Sequence, residues 1–405
     1  MPDAGNTLAE LRVLDLSGRV AGAYASKLFA DYGADVIAVE PPAGSPLRRQ
    51  GPFAPTGRPA AGCPHRETGA LWLYLGTNKR SVTLDIETAT GQAVFRRMAE
   101  EAAVIIEDFE PGRMEALDLG YETLLRIKRR LILVSITPFG QTGHRAAWKA
   151  TNLTSFASGG QMSLTGDPDR EPLVNGGQQA AYQAGLNAFA AAAVAAVNAD
   201  TYEVPQHIDI SMQECMAAAL ELYLPWWAYL KRDISQRKGN ILSAMVGMYP
   251  AKTGFIGLHI MPRNWPALTR AMGRPELADD PRFKTNFARL QNNDELEAMV
   301  YEWAAGQDAM DVYHKAGDTR APVAAVHSIG DLFASPQLKA RGFFHQTEHP
   351  EAGSLFIPGP QFRMSEVEWS AGRAPLLGEH NAELYCDEMG MSRDDLLRLR
   401  AAGVV

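Results

Sequence analysis

The first forty residues constrain the fold most. Residues 11–16 alternate apolar and polar side chains as a strand does. Gly18 and Gly22 break that pattern, helical spacing of apolar residues follows as far as Tyr32, and Gly33-Ala-Asp-Val-Ile-Ala-Val-Glu40 reads as a second strand. Strand, turn, helix, strand is a βαβ unit, whose two strands lie parallel because the helix carries the chain back to the same end of the sheet. The rhythm continues with strands predicted at 81–85, 103–107 and 131–136 and a helix at 88–102. The fold class is α/β, with a large Rossmann-like domain built on a parallel sheet.

Further on the pattern changes. Residues 43–70 are rich in Pro, Gly and Ala and read as an extended surface loop. The alanine-rich run at 183–199 predicts a helix suited to close packing against another helix. Residues 207–211 read as a strand feeding a helix at 212–224, and Pro225-Trp226-Trp227 marks a boundary. Shorter strands and helices then follow to about residue 325, a smaller α+β domain. The predicted division is 1–224, 225–325 and 326–405.

Composition excludes several functions. The net charge is −8 with no basic tail to offset it, which argues against a nucleic-acid partner. Cys63, Cys215 and Cys386 are far apart, which argues against a disulfide framework or a zinc site and fits a reducing cytoplasm. No charged-then-apolar leader opens the sequence, and the apolar run at 188–197 is too short to span a bilayer, so the expectation is a cytoplasmic protein with no membrane partner. His65, His144, His207 and His259 lie in separate segments without metal-ligand spacing, so no metal site is expected. Ser211 reads as a helix N-cap rather than a nucleophile.

One segment carries chemistry. Thr151-Asn-Leu-Thr-Ser-Phe-Ala-Ser-Gly-Gly-Gln-Met-Ser-Leu-Thr-Gly166 resembles the active-site segment of family III CoA-transferases (the CaiB/BaiF and formyl-CoA transferase type). Seven further blocks in order resemble the same family: Gly33 to Glu40, Asn78-Lys-Arg-Ser-Val-Thr-Leu-Asp85, Phe109-Glu-Pro-Gly112, Phe139-Gly-Gln-Thr-Gly143, Ile208-Asp-Ile-Ser-Met212, Asp280-Pro-Arg-Phe283 and Leu377-Gly-Glu-His380. The resemblance implies a large Rossmann-like domain, a smaller middle domain, a C-terminal segment that returns to the large one, and two chains interlocked as a ring-like dimer. It also implies a nucleophilic Asp at the position of Asn152, forming mixed-anhydride and aspartyl-CoA intermediates. Asn152 is an amide with no anionic oxygen to attack a thioester, so no catalytic residue is intact.

By the same resemblance the CoA cleft of this chain comprises Arg19, Val20, Leu84, Asp108, Phe109, Gly112 and Arg113. It departs from the family at Ala23, Pro41, Glu87, Asp108 and Ala116. Three of the changes along this cleft delete a cation, and Glu87 and Asp108 place negative charge where phosphates would lie. Ordinary divergence is the alternative. The racemase branch of the family needs a His before the nucleophile position and an Asp in the following segment; Thr151 and Ala181 stand there. Cations near the cleft are Arg19, Arg48, Arg49, Lys79, Arg80 and Arg113, with fold-supporting pairs as the competing reading. Gly159-Gly160, Asn175-Gly-Gly-Gln178 and Gly239-Asn240 could approach a ligand or serve as tight turns.

The expectation is therefore a catalytically silent subunit, similar to the non-catalytic half of paired enzymes that transfer CoA from succinyl-CoA to benzylsuccinate in anaerobic toluene degradation. Its partner would be a homologous Asp-bearing subunit. CoA or acyl-CoA would be a substrate of the complex rather than a bound cofactor, beside an organic acid, and the departures count against CoA binding to this chain. The alternatives are an active homodimer carrying an introduced Asp→Asn change, and a non-catalytic acyl-CoA-binding scaffold.

Overall fold

A computed structural model of the chain describes residues 8–54, 66–232, 237, 239, 241–243, 245–367, 369 and 372–405. Cys63, His65 and Asn240 lie outside the described residues. The chain divides into two compact units. The first comprises Met1–Gln161, Asn175–Leu222 and Ala340–Val405; the second comprises Met162–Val174 and Tyr223–Lys339. Relative to the sequence division, residues 162–174 move to the second unit and the C-terminal return begins at 340 rather than 326.

The first unit is built on a six-stranded sheet of β1 (Arg12–Asp15), β2 (Asp35–Glu40), β3 (Arg80–Thr83), β4 (Val104–Glu107), β5 (Ile132–Thr137) and β6 (Gln206–Ser211). The order is β3-β2-β1-β4-β5-β6, and every pairing is parallel. Parallel sheets are covered on both faces, so their strands are apolar throughout rather than alternating. Val36-Ile37-Ala38-Val39 and Val104-Ile105-Ile106 are accordingly buried along their whole length. Connecting and covering helices are α1 (Val20–Asp31), α2 (Ala70–Leu75), α3 (Ala89–Ala99), α4 (Arg113–Ala116), α5 (Tyr121–Ile127), α6 (Asn152–Ser158), α7 (Gln179–Tyr202) and α8 (Met212–Ala218).

Small residues set the closest helix contact. Every residue of α1 is buried, and α7 lays Ala181, Ala184, Gly185, Ala188 and Ala192 on the same core. A Cβ at Gly185 would sit 2.5 Å from the Ala21 carbonyl oxygen, so the two backbones touch at that point. Phe29 closes the contact edge-on against Phe189. The apolar run at 188–197 belongs to a helix of 24 residues, long and apolar enough to cross a membrane by length and composition, and its buried face serves this core. Its other face leaves Leu186, Val194, Val197 and Tyr202 exposed.

The C-terminal segment returns along the free edge at β3. His380 N donates to Ser81 O, Asn381 pairs with Thr83, Tyr385 Oη donates to the Thr83 carbonyl, and Asp85 N donates to Val404 O. A buried guanidinium joins these parts. Arg48, fully buried, donates to Glu40, Glu67 and the Pro375 carbonyl, with its face 3.9 Å from the Trp72 ring. Lys79 pairs with Asp15 in the core, and Arg80 pairs with Asp35, Glu383 and Glu388. Of the cations expected near the cleft, these three serve the fold.

The second unit has a four-stranded antiparallel sheet, order β10-β9-β8-β7, with β7 at Ile241–Ser243, β8 at Val246–Pro250, β9 at Phe255–His259 and β10 at Val323–Ala325. Tyr249, Ile256, Trp265, Leu268, Phe283 and Val300 form its core. The helix expected at 212–224 stops at Ala218. Pro225-Trp226-Trp227 lies inside the next helix, Tyr223–Leu230, because proline is tolerated in a first helical turn where its missing N–H has no partner to lose.

The α1–α7 contact is testable. Gly185→Ala raises helix propensity by about 1 kcal/mol, but its methyl must displace backbone. The expected result is net destabilisation of about 1–3 kcal/mol by chemical denaturation.

Candidate functional site

In a doubly wound sheet, ligands bind outside the carboxyl ends of the strands, where the strand order reverses. Here the reversal lies between β1 and β4, and a cavity of about 670 Å³ opens there. The turns after β1, β2, β3 and β4 line it: Ser17 to Arg19, Glu40 and Pro41, Leu84 to Glu87, and Asp108 to Glu110. Leu16, Val39, Leu84, Ile86 and Phe109 give it apolar walls.

The N-terminus of α1 opens onto this crevice. Its N-cap, Arg19, is extended and contributes no side-chain cap, so the first N–H groups of the helix need an acceptor from elsewhere. Asp108 stands there and accepts from the two N–H groups that lead into the helix: Gly18 N donates to Oδ1 at 2.9 Å and Arg19 N to Oδ2 at 2.8 Å. Burial pushes the Asp108 carboxyl up to about 6, against the opposing pull of the Gly18 N–H and the Arg19 charge. Arg113 opens α4 at the rim, and its guanidinium is paired with Glu87. Glu110 pairs with Lys149 at 2.9 Å.

Five of the residues predicted for the cleft therefore line one cavity: Arg19, Leu84, Asp108, Phe109 and Arg113. Val20 is buried as the first residue of α1, and Gly112 caps α4 with φ at 85°; neither is on the lining. Ser17, Gly18, Val39, Ser45, Pro46, Gln50, Ile86 and Glu110 also line it, and the sequence alone does not mark them as cleft residues. Ser17, Gly18, Val39, Ile86 and Glu110 share a signal of position, at the end of a parallel strand or within three residues of it, whereas Ser45, Pro46 and Gln50 come from the loop after β2.

Asn152 is elsewhere in the first unit, as the first residue of α6. Thr151 caps that helix in a reciprocal capping box with Thr154. The amide is engaged on both sides: Oδ1 accepts from Ala181 N at 3.2 Å and Nδ2 donates to the Gly177 carbonyl at 3.3 Å. A carboxylate could keep the first bond, but it would set an anionic oxygen against the Gly177 carbonyl in place of the second. Gly159 does not reach toward a ligand, since a Cβ there would collide with Met216 of α8. Gly239 stacks over Asp167 within the second unit and donates to Gly166 O. Ser211 caps α8 by accepting from Glu214 N.

A second buried acid stands beside the crevice. Glu107, at the end of β4, accepts from Phe109 N at 2.7 Å and is hydrogen-bonded by Ser135, whose Oγ is 3.0 Å from His207 Nε2. Burial pushes its carboxyl up to about 7, against the Ser135 and Phe109 hydrogen bonds.

Sheet order, crevice and C-terminal return together define a Rossmann-like α/β architecture with its ligand crevice at the switch point. The model of CoA-transferase family III matches residues 8–381. The chain is 32% identical to the succinyl-CoA–D-citramalate CoA-transferase of Chloroflexus aurantiacus, over 98% of each chain. It is 31% identical to the succinyl-CoA:(R)-benzylsuccinate CoA-transferase subunit BbsE of Thauera aromatica, again over 98% of each. Among solved structures, a CaiB/BaiF family protein from Brucella suis superposes with a TM-score of 0.82 at 30% identity, covering 95% of this chain and 99% of that one. This chain belongs to CoA-transferase family III, the proteins that move CoA between organic acids.

Two expected outcomes follow from the geometry. The Glu107 carboxyl is raised from its ordinary 4.5 to about 7, so its ionised form costs folded-state stability, fully above pH 7 and not at all below about 4.5. Glu107→Gln keeps the acceptor for Phe109 N and the contact with Ser135. It should be more stable than the parent at pH 8, by on the order of 2 kcal/mol, and equal to it at pH 4.5. Asn152→Asp should lose about 1 kcal/mol at pH 8 and recover as the carboxyl protonates on acidification and can again donate to Gly177 O. Denaturant titrations across pH read both.

Proposed function

We propose that this chain is the non-catalytic subunit of a two-subunit family III CoA-transferase, and that a homologous partner carries the nucleophilic Asp. The observation that carries this reading is Asn152 itself. The position where the family resemblance places the attacking carboxylate holds an amide, and both ends of that amide are hydrogen-bonded to backbone. Neither end is left to approach a thioester, and the Gly177 carbonyl disfavours the anion that the chemistry requires.

Exposed apolar surface supports a partner chain. In the first unit α7 exposes Val194 and Val197 at 72% and 68%. In the second, the helix Tyr223–Leu230 buries no residue and exposes Trp227, Tyr229 and Leu230. Folded chains that work alone seldom leave so much large apolar surface in water. The proposed occupant is the Asp-bearing homologue, arranged with this chain as the interlocked dimer that the resemblance implies. Each chain would then need the other's surfaces even where only one performs chemistry.

For the substrates we propose succinyl-CoA as donor and a dicarboxylic acid as acceptor, with benzylsuccinate as the first acceptor to assay. The relatives named for citramalate, benzylsuccinate, mesaconate and malate all carry succinyl-CoA in their names. One of them is named as a BbsE subunit and another as a beta subunit.

The test is purification of the complex from its native cells through this chain, followed by mass spectrometry and assay. The expected result is an equimolar homologue with Asp at the nucleophile position, CoA transfer by the pair, and no transfer by this chain alone. Robust turnover by the isolated chain would overturn the reading. Asn152→Asp by itself should restore no activity, because the crevice remains internally neutralised; a fast Asn152→Asp enzyme would show that only one atom had been lost.

A further inference from the structure

We propose that Asp108 sets what the crevice of this chain accepts: it is a built-in anion that closes the crevice to phosphate and leaves it to uncharged, ring-bearing ligands of nucleoside size. The proposal rests on the reading above that this chain's crevice no longer serves CoA, and it names the residue responsible.

The N-terminus of a helix is an anion site because its first N–H groups have no partner within the helix and lie at the positive end of the helix dipole. In a doubly wound fold the helix after the first strand offers that end to the ligand. In this chain a carboxylate already stands against the end of α1. The two oxygens of Asp108 take the Gly18 and Arg19 N–H groups that lead into the helix, at 2.9 and 2.8 Å, and Oδ2 lies 3.3 Å from where a Cβ on Gly22 in the first turn would stand, so its negative charge faces the positive end of the dipole. The carboxylate is 4% exposed and reaches the helix from the β4 turn, 89 residues away in sequence, so it is part of the fold rather than a mobile side chain.

The remaining charges of the lining point the same way. Arg113 is paired with Glu87. Arg19, the other cation of the lining, stands beside the Asp108 charge. Glu40 is bound to Arg48 behind the wall and Glu110 to Lys149. Asp85 adds a further carboxylate. An entering phosphate would meet more carboxylates than cations, with the Asp108 charge set against the helix end. Leu16, Val39, Leu84, Ile86 and Phe109 still enclose a volume of about 670 Å³, within the usual range for small-molecule sites and lined as a ring would require.

Calorimetric titration of the full-length chain with adenosine and with adenosine 3′,5′-bisphosphate tests this. The parent should bind adenosine at least as tightly as the bisphosphate. Asp108→Ala exposes both N–H groups and should raise bisphosphate affinity roughly tenfold, the worth of one charge-assisted hydrogen bond, with adenosine changed less than about twofold. Asp108→Asn removes the charge while keeping the shape and should give part of that gain. A parent that prefers the bisphosphate, or an Asp108→Ala variant that folds and shows no gain for it, overturns the proposal. If Asp108→Ala does not fold, Glu87→Gln, at an exposed site, frees Arg113 and should still raise bisphosphate affinity severalfold; no gain there counts equally against it. These are binding readouts on one chain, so they can fail while the silent-subunit reading survives, and the turnover assays can fail while these succeed.

Discussion

The Arg48 guanidinium is the interaction on which the first unit depends. It is fully buried, and its donors are divided among the end of β2 at Glu40, the following loop at Glu67 and the C-terminal segment at Pro375. A charge in that position is tolerable only when its donors are met. The three segments are therefore held together or exposed together. Trp72 closes the remaining face of the cation, which extends the same requirement to α2. The crevice inherits its shape from this arrangement, since Glu40, Pro41 and Pro46 form one of its walls.

A single chemical tendency runs through the positions where ligands would be met. The hydrogen-bonding capacity of the site is spent inside the chain. Asp108 sets its charge against the helix end, Glu87 neutralises Arg113, and Asn152 is tied at both ends to backbone. Each of these ties a polar group to a partner within the chain and is unfavourable for a polyanionic substrate. Buried polar groups lower their energy by finding partners, and a site released from catalysis is free to find them internally.

The sheet was legible because its signals are local. Residues 33–40 and 103–107 are apolar runs bounded by glycine or turn residues, and both became buried parallel strands. Charge at the crevice was legible in kind, through Glu87 and Asp108, but not in geometry. Nothing in a sequence says that Asp108 reaches back 89 residues to Arg19, or that Arg48 is a core residue rather than a cleft cation. The helix after β6 was misread because Pro225 looks like a terminator. It is the third residue of a new helix, where a proline breaks no hydrogen bond. Residues 162–174 lie in the second unit because their contacts are with distant chain, Arg237 donating to the carbonyls of Asp167 and Arg170 among them, a relation no local pattern encodes.

The C-terminal return carries a consequence for biosynthesis. The edge of β3 is capped by His380, Asn381, Tyr385 and Val404, all of which are synthesised after the second unit. Until then the nascent chain holds an open parallel-sheet edge and an Arg48 without its Pro375 acceptor. Domains tend to fold as units during synthesis, and unpaired strand edges invite association with other chains. For this protein the vulnerable interval spans the translation of the whole second unit, so chaperone demand and sensitivity to premature termination should concentrate there, rather than at the N-terminal half that is made first.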